Sequence, residues 1–262
     1  MIGFILGTSE GKKILSLINK YTDNIAVSTA TSYGGELLQN YKIRNLNTKP
    51  LNKNELLTWI KDNNIKVLVD GSHPYAQEVT QNAIECAEKL HITYIRYERL
   101  GVLETIESDH IVRVKDYDEA IEYFKLLDGN ILNTTGGNNA ARFVDIDFEH
   151  RIIHRILPSV QVISRLLESG IKVKDIVAMQ GPISCELEMG FIKQFDIKGL
   201  LTKDSGVEGG CLEKFNAVKN LNIKLIVIEK PKFTYNIQFN DPKTLVDYIA
   251  EKYIGLLYKF IC

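Results

Sequence analysis

The chain has 262 residues, 45% of them hydrophobic and 25% charged, with a formal net charge of −1. Such proportions exclude a disordered, collagenous or disulfide-scaffold chain, and the balanced charge excludes an overall basic field. Neither nucleic acid nor membrane is an expected partner, and any anion must be bound locally.

The chain opens Met1-Ile2-Gly3-Phe4-Ile5-Leu6 and turns at Gly7, too short an apolar run for a signal peptide or a membrane span. A cytoplasmic location is therefore expected. Short runs rich in Ile, Val and Leu then alternate with longer segments of helical period, the pattern of parallel strands buried on both faces by crossover helices. Strands are expected over residues 2–6, 25–29, 67–70 and 92–96, with helices near 12–19, 53–63 and 77–90. Residues 98–118, with a short strand at 111–115, break the alternation and are the expected connection between halves. The boundary is placed at 128/129, giving domains 1–128 and 129–262. The second half predicts strands near 131–134, 152–155, 176–179, 199–202 and 225–228, with helices at 160–168 and 213–220. The apolar tail 253–262 reads as a docking helix. The fold class is α/β, with two mainly parallel sheets and a functional site expected in a cleft between the domains. Cys86, Cys185, Cys211 and Cys262 lack the paired spacing of zinc or dithiol motifs, so they read as reduced structural thiols and no metal site is expected.

In such sheets ligands bind beyond the carboxyl ends of the strands, where loops expose backbone N–H groups and helix N-termini. Gly7-Thr8-Ser9-Glu10-Gly11 offers close backbone approach and hydroxyls to an anion, or else is a tight turn capped by Ser9. It lacks the full dinucleotide glycine pattern, and no acidic residue follows the second strand at Ser28-Thr29-Ala30-Thr31. Asp70-Gly71-Ser72-His73-Pro74-Tyr75 leads into a helix expected to start at Pro74; this puts His73 at the ligand edge, or makes it a cap residue. Asn133-Thr134-Thr135-Gly136-Gly137-Asn138-Asn139 suits a phosphate or amide binder, or a glycine turn. Thr202-Lys203-Asp204-Ser205-Gly206, continuing to Gly209-Gly210, joins a cation and two hydroxyls to three glycines after one strand. It is not a Walker motif, and the alternative is a solvated turn. Arg96, Arg99, Arg151, Arg155 and Arg165 are supporting candidates for an anionic substrate, and Ser184 reads as a helix cap with Glu186 in the first turn.

Taken in order, these segments resemble the precorrin-6A reductase family of cobalamin biosynthesis, its cobalt-precorrin branch included. The likeness spans nearly the whole chain and rests on Gly7-Thr8-Ser9-Glu10, Ser72-His73-Pro74-Tyr75-Ala76, Arg96-Tyr97-Glu98-Arg99, Thr135-Gly136, Arg155-Ile156-Leu157-Pro158, Gln180-Gly181-Pro182 and Thr202-Lys203-Asp204-Ser205-Gly206. The resemblance implies two Rossmann-like domains and hydride transfer from NADPH or NADH to a carboxylated tetrapyrrole, precorrin-6A or its cobalt form, giving the corresponding 6B compound. Under that reading, the expected cofactor contacts are Gly7, Thr8, Ser9, Glu10, Thr135, Gly136, Gly137, Lys203, Ser205 and Gly206. Expected substrate contacts are Ser72, His73, Tyr75, Arg99 and Arg155, with His73 and Tyr75 the candidate proton donors. A nucleotide-sugar enzyme and a non-catalytic two-domain binding protein are also compatible with paired α/β domains and glycine loops.

Overall fold

A computed structural model describes residues 1–255, and all their side chains except those of residues 8–10, 32–33 and 208. The chain divides into two units. Unit 1 combines Met1–Leu100 with the segment from Pro231 onward, and unit 2 is Gly101–Lys230.

Unit 1 begins β1 (Ile2–Leu6), α1 (Thr8–Ile18), β2 (Ile25–Ser28), α2 (Ser32–Glu36), β3 (Asn45–Asn47), α3 (Lys53–Asp62), β4 (Val67–Gly71), α4 (Gln77–Lys89) and β5 (Thr93–Tyr97). Unit 2 follows as β6 (Ile111–Val114), α5 (Tyr117–Phe124), β7 (Asn130–Asn133), β8 (Ile152–Ile156), α6 (Val160–Glu168), β9 (Ile176–Ala178), α7 (Cys185–Gln194), β10 (Ile197–Lys203), α8 (Cys211–Asn220) and β11 (Lys224–Ile228). The chain then returns to unit 1 as β12 (Gln238–Phe239) and α9 (Pro242–Ile249).

The first sheet runs β12-β5-β4-β1-β2-β3 and the second β6-β11-β10-β7-β8-β9, six parallel strands each. Both follow the doubly wound order of a Rossmann-like sheet. The outermost strand beside β5 is β12, and the one beside β11 is β6. Unit 2 is continuous and holds all six of its strands, β6 being the first after the crossing, whereas unit 1 takes its sixth strand, β12, from the segment that returns after β11.

This division corrects the expected boundary at 128/129. The chain crosses first at Leu100/Gly101, inside the segment read as the connection, and crosses back at Lys230/Pro231. The cores show why. Leu245, Val246 and Ile249 of α9 are buried with Ile14, Leu15 and Ile18 of α1, whereas Leu103 is buried with Leu200, Leu225 and Val227 of unit 2. The expected helix at 253–262 lies mostly outside the described residues; of it, Tyr253 packs against the unit 1 core. No helix among the described residues is long and apolar enough to cross a membrane.

Mid-strand in β8, His154 is buried, and burial pushes its imidazole down to about 4 from an ordinary 6.5. Because the folded ring stays neutral where the unfolded one takes a proton, its contribution is complete above pH 6.5. That contribution is lost as the pH falls from 6.5 towards 4, by on the order of 3 kcal/mol. Urea unfolding across this range should show that loss, and His154→Gln should flatten the profile. Parallel profiles for the two proteins would contradict the assignment.

Candidate functional site

The loops singled out by composition fall at equivalent places in the two units. Strands β1 and β4 are neighbours in the first sheet and β7 and β10 in the second, and at each pair the strand order reverses direction. The loop after β1 starts at Gly7, the loop after β4 holds Ser72 and His73, the loop after β7 holds Thr135, Gly136 and Gly137, and β10 ends at Lys203. Crevices at such reversals are where open α/β sheets bind ligands.

In unit 1 a cleft of about 250 Å³ is lined by Gly7, Thr29, Thr31, Gly34, Ser72, His73 and Arg99, among others. A larger hollow of about 540 Å³ shares Gly7, Thr29, Ser72 and His73 with it. The structure therefore brings Gly7, Ser72, His73 and Arg99 together. Tyr75 is not in either lining; its ring lies 5.7 Å from that of His73.

Helix α1 begins at Thr8, earlier than residue 12, so Thr8, Ser9 and Glu10 form its first turn. The N-cap is Gly7, with no side-chain cap, which corrects the reading of Ser9 as the cap. A helix start whose N-cap is a glycine lining a cleft suits a phosphate oxygen. Helix α4 likewise begins at Gln77 rather than at Pro74. Pro74 and Tyr75 form a turn, in which the Tyr75 N–H donates to His73 Nδ1 at 3.3 Å and the Ala76 N–H to the His73 carbonyl at 2.8 Å. With Nδ1 accepting, a neutral His73 carries its proton on Nε2, on an exposed ring at the cleft wall.

Beneath His73 lies a network that composition did not reveal. Arg96 is fully buried and meets Asp70 at 3.1 Å and Glu98 at 3.0 Å; it also donates to the Ser72 hydroxyl at 3.2 Å. Asp70, equally buried, accepts from the Tyr94 hydroxyl at 2.9 Å and the Ser72 N–H at 2.9 Å. The guanidinium sits over Tyr235, 5.7 Å from the ring centroid. Burial opposes the Arg96 charge, and Asp70 and Glu98 more than offset it, so the guanidinium stays ionised. Burial raises the Tyr94 hydroxyl, with Asp70 adding to the effect, so it remains a donor. Ser72 is thus a fixed part of the scaffold under His73, its hydroxyl engaged by Arg96 and Thr80. Arg96, a supporting candidate for substrate, is likewise enclosed by this network.

Unit 2 shows the same division between scaffold and open edge. The Thr135 N–H and hydroxyl both bind Asn133 Oδ1, at 3.0 and 2.8 Å. Gly136 has φ +90° and no heavy atom within 4 Å of where a side chain would begin, while a Cβ on Gly137 would strike Val162 at 2.5 Å. Gly136 is therefore the position where a ligand can approach the backbone. Asp204, read only as part of a motif, is buried and accepts from the Val102, Leu103 and Glu104 N–H groups at 3.1, 2.8 and 3.2 Å. It also accepts from the Gly206 N–H at 3.2 Å, so that group is committed to the loop itself.

Two expected contacts turn inward. The Ser205 N–H donates to Cys211 Sγ at 3.3 Å and its hydroxyl lies 3.6 Å from the same sulfur. Arg155 makes a two-pronged bond to Glu188 at 2.7 and 2.8 Å, with both side chains almost completely enclosed. A paired, enclosed guanidinium holds α7 to β8 and is not presented to a substrate. Behind the loop, Lys214 is buried, which lowers its ammonium, and donates to the Gly209 carbonyl at 2.5 Å. Lys203 is half-buried at the end of β10, its ammonium 5.7 Å from the Tyr117 ring centroid. The Ser184 cap stands as read, accepting from the Leu187 N–H at 3.3 Å.

Residues 2–250 match the family model described as precorrin-6x reductase CbiJ/CobK. Among relatives, the chain is 38% identical to a cobalt-precorrin-6A reductase of Methanocaldococcus jannaschii, covering 92% of each chain. It is 29% identical to a cobalt-precorrin-6A reductase of Priestia megaterium, covering 92% of this chain and 94% of the relative. A solved structure of CobK precorrin-6A reductase superposes with a TM-score of 0.76 at 15% identity, covering 95% of this chain and 96% of the other, and shares its fold. The chain belongs to the precorrin-6x reductase CbiJ/CobK family, oxidoreductases of cobalamin biosynthesis.

Proposed function

We propose that this chain reduces cobalt-precorrin-6A, or its metal-free counterpart, to the 6B form with hydride from NADPH or NADH. The observation that carries this reading is the near full-length similarity to a relative named cobalt-precorrin-6A reductase, on a fold whose strand-order reversals hold the matching loops. Four relatives of this name from different organisms, each covered over most of its length, favour the cobalt form as substrate.

The nicotinamide supplies the hydride when bound. The residues that would hold its pyrophosphate are those of the first turn of α1, Thr8 to Glu10, with Gly7 allowing close approach. Thr29 and Thr31, which line the cleft just after β2, are the groups that would meet a ribose hydroxyl. Gly136, Gly137 and Lys203 are the second set of anion contacts, Lys203 as a point charge for a phosphate or a substrate carboxylate. His73, with Nε2–H at the cleft wall, and Arg99 are the groups that would orient a tetrapyrrole, His73 being the one that could deliver a proton. The protein's share of the reaction is orientation and exclusion of water, because a conjugated macrocycle accepts hydride without a protein nucleophile.

Incubation with cobalt-precorrin-6A or precorrin-6A and each nicotinamide should consume cofactor absorbance and add two hydrogens to the tetrapyrrole mass. No mass gain with either substrate and either nicotinamide would refute the reading. Lys203→Ala should weaken binding of one ligand by about 1.5–3 kcal/mol, the range for a charge-assisted hydrogen bond, with a smaller loss in saturated turnover. Dissociation constants for both ligands, measured with single-turnover rates, decide this; unchanged binding of both would make Lys203 structural.

A further inference from the structure

We propose that unit 2 carries a separate binding pocket, at the amino edge of its sheet, for a small organic anion with an apolar body. A cavity of about 220 Å³ opens beside Ile152 and His154 of β8, between the loop that precedes β8 and the turn that precedes β9. The loops assigned above to cofactor and substrate leave the opposite, carboxyl ends of these strands, so this cavity belongs to neither.

One polar group in its wall has a defined direction. Asn133 Oδ1 already accepts from the Thr135 N–H and hydroxyl, so its Nδ2 is the atom that donates to His154 Nδ1, 3.1 Å away. A ring that accepts at Nδ1 carries its proton on Nε2. His154 lines the cavity, is 97% enclosed by the fold (3% exposed), and makes no hydrogen bond through Nε2 among the described residues. Because the ring lines the cavity, its Nε2–H is a donor offered to whatever occupies it. Burial keeps the ring neutral, so it offers one donor and no charge.

Charge comes from the rim. Arg151, Lys172 and Lys174 line the cavity, against Asp175 as the one carboxylate in its described wall. Asp175 is already held by Arg151 at 2.7 Å, and Lys172 and Lys174 are exposed without an ion pair among the described residues. His150, also in the wall, is turned to Asp128 at 3.4 Å. The excess is cationic, which selects an anion and disfavours a cation. The remaining wall is apolar: Phe143 and Ile171 are buried and Phe148 half-buried. A bare inorganic ion would leave this half unfilled. A carboxylate on a single ring or short branched chain would place an oxygen on His154 Nε2, its charge toward the lysines and its body on the phenylalanines.

Benzoate is the probe. Calorimetric or NMR titration of the full chain at neutral pH should give saturable one-to-one binding with a dissociation constant near ~1 mM, as for a fragment of its size. His154→Phe should weaken this about tenfold or more by removing the donor, and the paired Lys172→Glu, Lys174→Glu variant should do likewise. The paired variant changes only exposed side chains, so it tests the pocket even if His154→Phe does not fold. Phosphate should compete with benzoate at least tenfold more weakly. The proposal fails if wild type shows no saturable benzoate binding, if the paired lysine variant binds benzoate as wild type does, or if phosphate binds as tightly as benzoate.

Discussion

Asp204→Ala is expected to lower the unfolding free energy by about 3–5 kcal/mol, through unit 2. The wild-type carboxylate gathers three consecutive backbone N–H groups, Val102, Leu103 and Glu104, and a fourth at Gly206. Each donor left without a partner in the interior costs about 1–3 kcal/mol, less where water or a loop shift reaches it. The segment at stake enters unit 2 immediately after the first chain crossing, and Leu103 within it is fully buried in that core. Asp204→Asn should fall between, because one amide oxygen can still accept while the amide nitrogen faces donors. Urea titration with an unchanged slope reads the effect directly. A midpoint shift worth less than about 1 kcal/mol for the alanine variant would show that water replaces the carboxylate without cost.

Arg96→Met should be comparably damaging, by about 3–5 kcal/mol, for a different reason. Methionine fills much of the same volume, but it leaves Asp70 with no exposure and no counter-charge, keeping only the Tyr94 hydroxyl and the Ser72 N–H as donors. The double variant Arg96→Met, Asp70→Asn should recover a large part of the loss, since the fully enclosed Asp70 charge is then gone and only the partly enclosed Glu98 has lost its ion pair with Arg96. A double variant no more stable than the single one would assign the cost to packing around Tyr235 instead. Because Arg96 and Asp70 hold Ser72 beneath His73, the surviving folded protein should also bind tetrapyrrole less tightly than wild type.

The sequence patterns that proved legible are those set by local physics. Short apolar runs place β1, β4, β7 and β11 within a residue of their bounds, and Ser184 followed by Glu186 marks the start of α7. Strand β3, Asn-Leu-Asn, was invisible because it is short, polar and at a sheet edge. The boundary was misplaced because Ile-Val-Arg-Val and Gln-Phe carry no information about which sheet they join; that choice is made by α9 packing on α1 and Leu103 packing in the second core. Small and glycine residues after apolar runs were enough to find all four loops at the strand-order reversals. The direction of each side chain was not legible. Ser72, Ser205 and Arg155 read as ligand contacts, yet their partners Arg96, Cys211 and Glu188 lie 24, 6 and 33 residues away in sequence. Asp70 carried one usable signal, an acid ending an otherwise apolar buried strand, which marks either a site or an enclosed ion pair.

The return of the chain to unit 1 bears on how the protein is made. On a ribosome, β1 to β5 emerge first but lack β12 and α9, whose Leu245, Val246 and Ile249 close the hydrophobic face over α1. Unit 2 has every one of its strands once β11 has left the exit tunnel. The half that is synthesised first is therefore the half completed last, and until the final stretch appears it presents an uncovered apolar face and an open edge at β5 to its surroundings.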